Sequence, residues 1–425
     1  MKRRIRSFMS DRLVQASSWL FVAFMVTNVF SYGFQVAMGR LLSAKEYGFL
    51  NSLVAVFVVL SVPIATLLMV VARKAAEYAA KEDFTSIRSL FGLAHRRILS
   101  AGLLGLAAFI LGAGYLRDYL HSPSITPIIL LGLCAFAALA VPINTALLQG
   151  LQDYRWYGIN SGLGGPLKFA FCVLLVLAGL GVNGVLLGLM LTNITLWLTT
   201  YLPMRKHLLR GQAGADSVHQ LSLAHMLPVF LANLAFTVIT QADMILVVRF
   251  FSAQDAGMYA AAAILGRSVM YIPGAFVQAL FPMVSEHKAL NLDSRHLLFK
   301  SLAATLSLSG FGAALFFLFP GWIIQVFFSA RYLDAAPVLR YFGLAMLPMG
   351  LLMVIMNYAI AKGERLLSYV LIIGAALEIL LIYRFHESLL QVVFIMMALG
   401  LFLVLSAGLL GGKGVAVSRP QEEPC

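Results

Sequence analysis

A few ionisable side chains interrupt long apolar runs in this sequence, and their spacing limits the chemistry available. Arg267 lies about nine residues inside one run, and Asp243 about seven residues from the end of the preceding run. At helical rise these are depths of roughly 13 and 10 Å, so the two charges can meet. Two readings fit. One is a closed carboxylate–guanidinium pair. The other is a guanidinium facing a wet cavity, positioned by Asp243 and able to clamp an anion. Lys168 stands about seven residues inside its own run, from where its long stem would snorkel to the inner interface. Arg73 ends a run, as an interfacial anchor would. Glu378, close to Arg384, reads either as solvated near the outer surface or as a protonatable site.

Uncharged polar residues add two faces. Asn28, Ser31, Tyr32 and Gln35 recur at helical spacing in the first apolar run, and Asn233, Thr237, Thr240 and Gln241 in the seventh. Such faces look at another helix or at a cavity rather than at lipid. No catalytic set is visible: HExxH, GxSxG and P-loop patterns are absent. The cysteines, Cys134, Cys172 and Cys425, have no paired spacing, so no metal site, cofactor site or disulfide framework is expected.

The elements that carry these residues follow from composition. Hydrophobic residues are 61% of the chain and charged residues 12%, about half the charge of a soluble domain. Twelve spans fit a bilayer, at about 15–38, 47–71, 98–116, 125–148, 161–181, 183–202, 225–248, 258–281, 299–319, 337–360, 366–383 and 388–410. Lipid leaves backbone groups no outside partner, so these spans are helices and the fold is an all-α integral membrane one. Pro63, Pro142, Pro273 and Pro348 fall inside spans and mark candidate kinks. The basic start, Met1–Arg6, precedes an apolar stretch too long for a signal peptide, so it opens a retained span.

With the N-terminus inside, 22 of the 31 Lys and Arg residues fall in inner segments and 6 in outer turns. That asymmetry places both termini in the cytoplasm. The net charge of +13 points to an anionic partner, first of all anionic lipid headgroups, and not to nucleic acid. The interval Arg73–Arg97 reads as an amphipathic helix on the inner surface, with Phe84, Ile87, Phe91 and Ala94 on one face and Glu77 four residues before Lys81.

A repeat organises the whole. The turn Arg40-Leu41-Leu42-Ser43-Ala44-Lys45-Glu46-Tyr47-Gly48 returns as Arg249-Phe250-Phe251-Ser252-Ala253-Gln254-Asp255-Ala256-Gly257, with Arg, Ser, Ala and Gly identical. Asn144–Gly150 is echoed by Asn357–Gly363. Two matches in the same order indicate a duplicated half. Six spans per half is even, so the halves run in the same direction. The expected organisation is an N-terminal lobe (1–202), a cytoplasmic linker (203–224), a C-terminal lobe (225–411) and a disordered tail (412–425). The Ser-x-x-Glu and Ser-x-x-Asp patterns in the turns also read as helix starts.

These turns, together with Leu147–Asn160 (LLQGLQDYRWYGIN), resemble the polysaccharide transporter (oligosaccharide flippase) branch of the multidrug/oligosaccharidyl-lipid/polysaccharide exporter superfamily. The resemblance covers about residues 12–410. It implies a multidrug-exporter-like fold of two six-helix lobes, with a cation-lined V-shaped cavity opening alternately inward and outward. It also implies a substrate, a polyprenyl-diphosphate oligosaccharide flipped from the inner to the outer leaflet of a bacterial cytoplasmic membrane. Arg267 matches the expected cation, with Lys168 and Arg73 as further candidates. Polymerase and export machinery are implied partners, and H+, Na+ or membrane potential are implied driving forces. Two alternatives stand beside this reading. One is a cation-coupled drug antiporter, which would need acids such as Asp243 and Glu378. The other is a membrane glycosyltransferase or ligase acting on the same lipid-linked sugar.

Overall fold

A computed structural model describes residues 2–208, 227–271, 274, 284, 294–364 and 366–413; at 2–18, 21, 65–67, 69, 70, 73, 206–208 and 409–413 only the backbone is described. The expected linker beyond residue 208, Pro273 and the tail from residue 414 lie outside the described residues. All regular structure in the described residues is helical. The chain divides into two compact units, Met1–Leu223 and Ala224–Cys425.

The first unit contains α1 (Lys2–Leu41), α2 (Ala44–Ala80), α3 (Phe84–Tyr119), α4 (Thr126–Ala137), α5 (Ala140–Gly150), α6 (Tyr154–Leu175) and α7 (Gly181–Leu208). The second contains α8 (Leu227–Phe250), α9 (Ala253–Tyr271), α10 (Arg295–Leu318), α11 (Pro320–Phe327), α12 (Ala336–Lys362), α13 (Leu366–Arg384) and α14 (Leu389–Lys413). Ten apolar segments among the described residues are long enough to cross a membrane, so this is a multi-pass membrane protein. One of them, Tyr154–Arg205, doubles back. Gly179 (φ 86°), inside a π-helical turn at Val176–Leu180, and Gly181 (φ 51°), just after it, take the positive φ that closes the hairpin between α6 and α7.

Local chemistry explains the boundaries. Ser43 starts α2 through a full capping box: Glu46 N–H donates to Ser43 Oγ at 3.3 Å, and Ser43 N–H donates to Glu46 Oε2 at 3.0 Å. Asp255 N–H likewise donates to Ser252 Oγ at 3.1 Å where α9 begins, but the shorter Asp255 carboxylate binds only the Ser252 hydroxyl, at 2.7 Å. The two similar turns therefore do the same local job, one in each unit. The span expected at 125–148 is two helices, parted at Ala138–Leu139. Pro142 causes this, because its ring lacks the N–H that would bond the Ala138 carbonyl and clashes with it. Pro63 and Pro348 lie inside continuous helices.

Arg73–Arg97 is not a separate surface helix. It is the end of α2, a turn with Glu82 at φ 54°, and the start of α3. Asp83 caps α3, and hydrogen bonds from the Ser86 side chain and N–H hold its carboxyl below the usual carboxylate range. The apolar stripe on α3 faces the protein rather than headgroups: Ile87, Leu90 and Ala94 are buried, the last two in a cluster with Val71, Ala75, Ile143 and Leu147. Glu77 does reach Lys81, at 3.9 Å, and binds Lys74 more closely at 2.9 Å.

Within the first unit, α1 packs on α6, α2 on α5, and α7 on both α6 and α4. Within the second, α12 packs on α10, α14 and α9, and α13 on α8. Lipid tails are as apolar as these helices, so close backbone approach and buried polar bonds hold them together. Asn144 and Asn160 are examples. Their amides donate to Thr200 Oγ1 (2.9 Å) and the Leu196 carbonyl (3.0 Å) of α7.

Candidate functional site

The deep charges form two separate arrangements, one in each unit. In the second unit, Arg267 on α9 and Asp243 on α8 make a closed pair. Arg267 Nη2 donates to Asp243 Oδ1 at 2.6 Å and Oδ2 at 2.7 Å, and Nε donates to the Thr240 carbonyl at 3.0 Å. Tyr259, two turns before Arg267 on α9, donates its hydroxyl to Asp243 Oδ2 at 2.8 Å. Phe342 of α12 stacks beneath, 5.7 Å from the guanidinium and edge-on to Tyr259. Asp243 is fully buried and Arg267 is 9% exposed. Of the two readings the spacing allowed, this geometry is the pair.

Glu378 on α13 belongs to the same cluster. It is fully buried, and neither carboxyl oxygen has a hydrogen-bond partner among the described residues. Its helix runs beside α8, with Ser368 donating to the Pro228 carbonyl at 3.0 Å and Phe250 edge-on to Tyr383 at 5.4 Å, so Glu378 lies at about the level of Asp243. The reading of Glu378 as solvated near the outer surface is therefore corrected. Six residues before the end of α13 is roughly 9 Å of helix, and the helix packs on α8.

In the first unit, Lys168 Nζ donates to Ser31 Oγ of α1 at 2.9 Å and sits 4.9 Å from the centre of the Phe34 ring. The four ion pairs among the described residues do not include it. Its depth also differs from the sequence reading. Because α6 starts at Tyr154, Lys168 lies about 21 Å along the helix, farther than a lysine stem can snorkel back. Small residues put it beside Ser31. A Cβ on Gly165 would stand 2.6 Å from the Thr27 carbonyl and 2.8 Å from Thr27 Cα, so only glycine permits this approach of α1 to α6. The Thr27 hydroxyl donates across the same seam to the Ser161 carbonyl.

The other expected residues are more ordinary. Gln35 accepts a long hydrogen bond from the Tyr47 hydroxyl at 3.4 Å, and Asn28 is exposed on α1. Asn233 donates to its own helix at the Val229 carbonyl, 2.8 Å away, and Gln241 is buried. Arg73 lies on α2, with its side chain outside the described part. Two residues the sequence reading did not single out matter here: Tyr259 and Phe342. Tyr259 carried a signal, since eight residues separate it from Arg267 and place both on one helix face. Phe342 carried none, because its partners come from a distant part of the chain.

Among the described residues, no group of three His, Cys, Asp or Glu side chains could hold a metal ion. Comparison with known proteins adds the fold family. The family model described as "Polysaccharide biosynthesis protein" matches residues 37–337. No curated protein sequence matches. Among solved structures, the chain superimposes on an inward-facing multidrug resistance MATE transporter of the MOP superfamily with a TM-score of 0.77 at 12% identity, covering 95% of this chain and 100% of that one. It superimposes on the lipid II flippase MurJ, in an inward closed conformation, with a TM-score of 0.68 at 14% identity, covering 93% and 87%. The MATE multidrug transporter DinF-BH, solved in complex with R6G, gives a TM-score of 0.64 at 15% identity, covering 94% and 95%. The fold is thus MATE-like.

Proposed function

The chain belongs to the polysaccharide biosynthesis protein family, and from that premise we propose that it flips a polyprenyl-diphosphate oligosaccharide from the inner to the outer leaflet of a bacterial cytoplasmic membrane. The sugar–diphosphate headgroup cannot cross bare hydrocarbon, whereas the polyprenyl tail can stay in lipid. The protein supplies a polar path, and alternating access between two duplicated six-helix lobes moves it from one side to the other. Both termini are cytoplasmic, and the flipped unit is handed to polymerase and export machinery for extracellular polysaccharide or O-antigen. Transport draws on H+, Na+ or the membrane potential.

One observation carries this reading. Lys168 is a cation at membrane depth held by a hydroxyl and an aromatic ring, with no carboxylate in its ion-pair shell. A half-buried ammonium without an acid has spare capacity for an anion, and a diphosphate brings several oxygens that accept from it. The role first expected of Arg267, clamping the diphosphate, passes to Lys168 in this proposal, because the Arg267 guanidinium is engaged by Asp243. Asn28 and Gln35, on the same helix as Ser31, are proposed to contact the sugar, with Asn233 and Gln241 as lesser candidates.

The test is translocation in liposomes containing only this protein and a labelled polyprenyl-diphosphate oligosaccharide. Label should become accessible from the far side, chemically unchanged, and the rate should collapse in Lys168→Gln. Covalent change in the recovered lipid would instead indicate an enzyme, and export of a cationic dye in place of the lipid would favour drug antiport.

A further inference from the structure

We propose that Glu378 is a proton-binding site whose occupancy decides which acid holds Arg267. The observation is positional. Glu378 is fully buried on α13, its two oxygens are bonded to nothing among the described residues, and its helix packs on α8 at the level of an ion pair that is already complete. The titratable groups at its level are Asp243 on α8, the helix packed against α13, and Arg267 and Tyr259 of α9, both bonded to Asp243. From α14, the side chain that joins this network is the thioether of Met396, 3.4 Å from the Tyr259 hydroxyl, which carries no charge.

The charges of this cluster do not balance if both acids ionise. One guanidinium would face two carboxylates, and no N–H or O–H is directed at the second. A proton on Glu378 removes the excess charge and leaves the Asp243–Arg267 pair intact. This also defines an exchange. When the Glu378 O–H bond breaks and its proton passes to solvent, the new carboxylate competes for Arg267. Nε and Nη2 of the guanidinium are committed to Thr240 and Asp243, whereas Nη1 takes no part in those bonds and is free to turn to Glu378. Asp243 keeps the Tyr259 hydroxyl throughout. Proton release therefore ties α9 to α13, and proton uptake returns it to α8 alone. Two discrete arrangements biased by one proton form the kind of element that couples an ion gradient to a conformational cycle. Only that last coupling step rests on the transport reading.

Infrared spectroscopy of the full chain in lipid nanodiscs tests the site without any substrate. At about neutral pH the wild type should show the C=O band of a protonated carboxyl that disappears in Glu378→Gln. In Asp243→Asn the guanidinium has a single acid left, so Glu378 should ionise and the same band should vanish although Glu378 is present. In Arg267→Gln both acids lose their cation and the band should grow. No such band in the wild type, or a band that survives Glu378→Gln, overturns the proton site; a band unchanged in Asp243→Asn overturns the exchange. The coupling is then read in proteoliposomes. A pH gradient of about one unit should change the wild-type translocation rate by up to about tenfold and leave Glu378→Gln indifferent. A gradient response retained in that variant overturns the coupling. A wild type that moves no lipid-linked sugar would count against the proposed substrate and leave the infrared result standing.

Discussion

Lys168 and Arg267 are both cations on membrane-spanning helices, yet their surroundings are opposite. Arg267 has a carboxylate bound through both oxygens, a carbonyl on Nε, and an aromatic ring beneath it. Lys168 has one hydroxyl and one ring. The difference teaches that depth in the membrane does not by itself mark a binding residue. What matters is whether the chain has already supplied the counter-ion. A satisfied charge holds helices together, and an unsatisfied one is available to a ligand.

The comparison breaks if the two cations fail in the same way when removed. Arg267→Gln should give the largest effect on stability, about 3–5 kcal/mol, because it strands Asp243 in the interior. Thermal unfolding in detergent should show the loss, and adding Asp243→Asn should recover most of it. Lys168→Gln should leave the unfolding midpoint nearly unchanged while slowing translocation up to about a hundredfold, the value of one or two hydrogen bonds to a charged group. Lys168→Arg should keep part of the rate. The reverse pattern, stability lost at Lys168 and only transport lost at Arg267, would exchange the two roles.

Two smaller changes sharpen the contrast. Gly165→Val forces branched atoms against the Thr27 backbone, so it should cost about 1–3 kcal/mol and separate Ser31 from Lys168. Its translocation rate should fall with its stability, unlike Lys168→Gln. Ser31→Ala removes one hydroxyl and should cost about 1 kcal/mol, a few-fold in rate at most. An unchanged rate there would mean that the ammonium is held by its other surroundings.

Much of this was legible in the sequence, for identifiable reasons. The all-helical membrane fold class follows from backbone groups that lipid cannot satisfy. Ser43-x-x-Glu46 and Ser252-x-x-Asp255 announced helix starts because capping is local, and even the weaker bonding of Asp255 follows from one missing methylene. Pro142 announced a break that the structure places four residues earlier, where its ring meets a carbonyl. The pairing of Asp243 with Arg267 was half legible, since a short turn brings both to one depth but does not say which way they point. The burial of Glu378 and the surroundings of Lys168 were not legible, for a common reason. Their environments are built by helices far away in sequence, α8 for one and α1 for the other, and no local pattern records a distant neighbour. The stripe on α3 failed similarly, because an apolar face reads alike whether it meets lipid or the α2–α5 core.

The seam between α1 and α6 has a consequence for how the chain is made. Thr27 and Ser31 meet partners about 135 residues further on. At roughly 5–20 residues per second, the first helix waits on the order of ten seconds in the bilayer before the helix that covers it emerges from the ribosome. For that interval its polar face lies against lipid or the translocon, and Lys168 later arrives at a helix already in place. Nascent chains halted before Gly158 should leave Ser31 open to a lipid-borne crosslinker, and chains halted well beyond Arg205 should shield it.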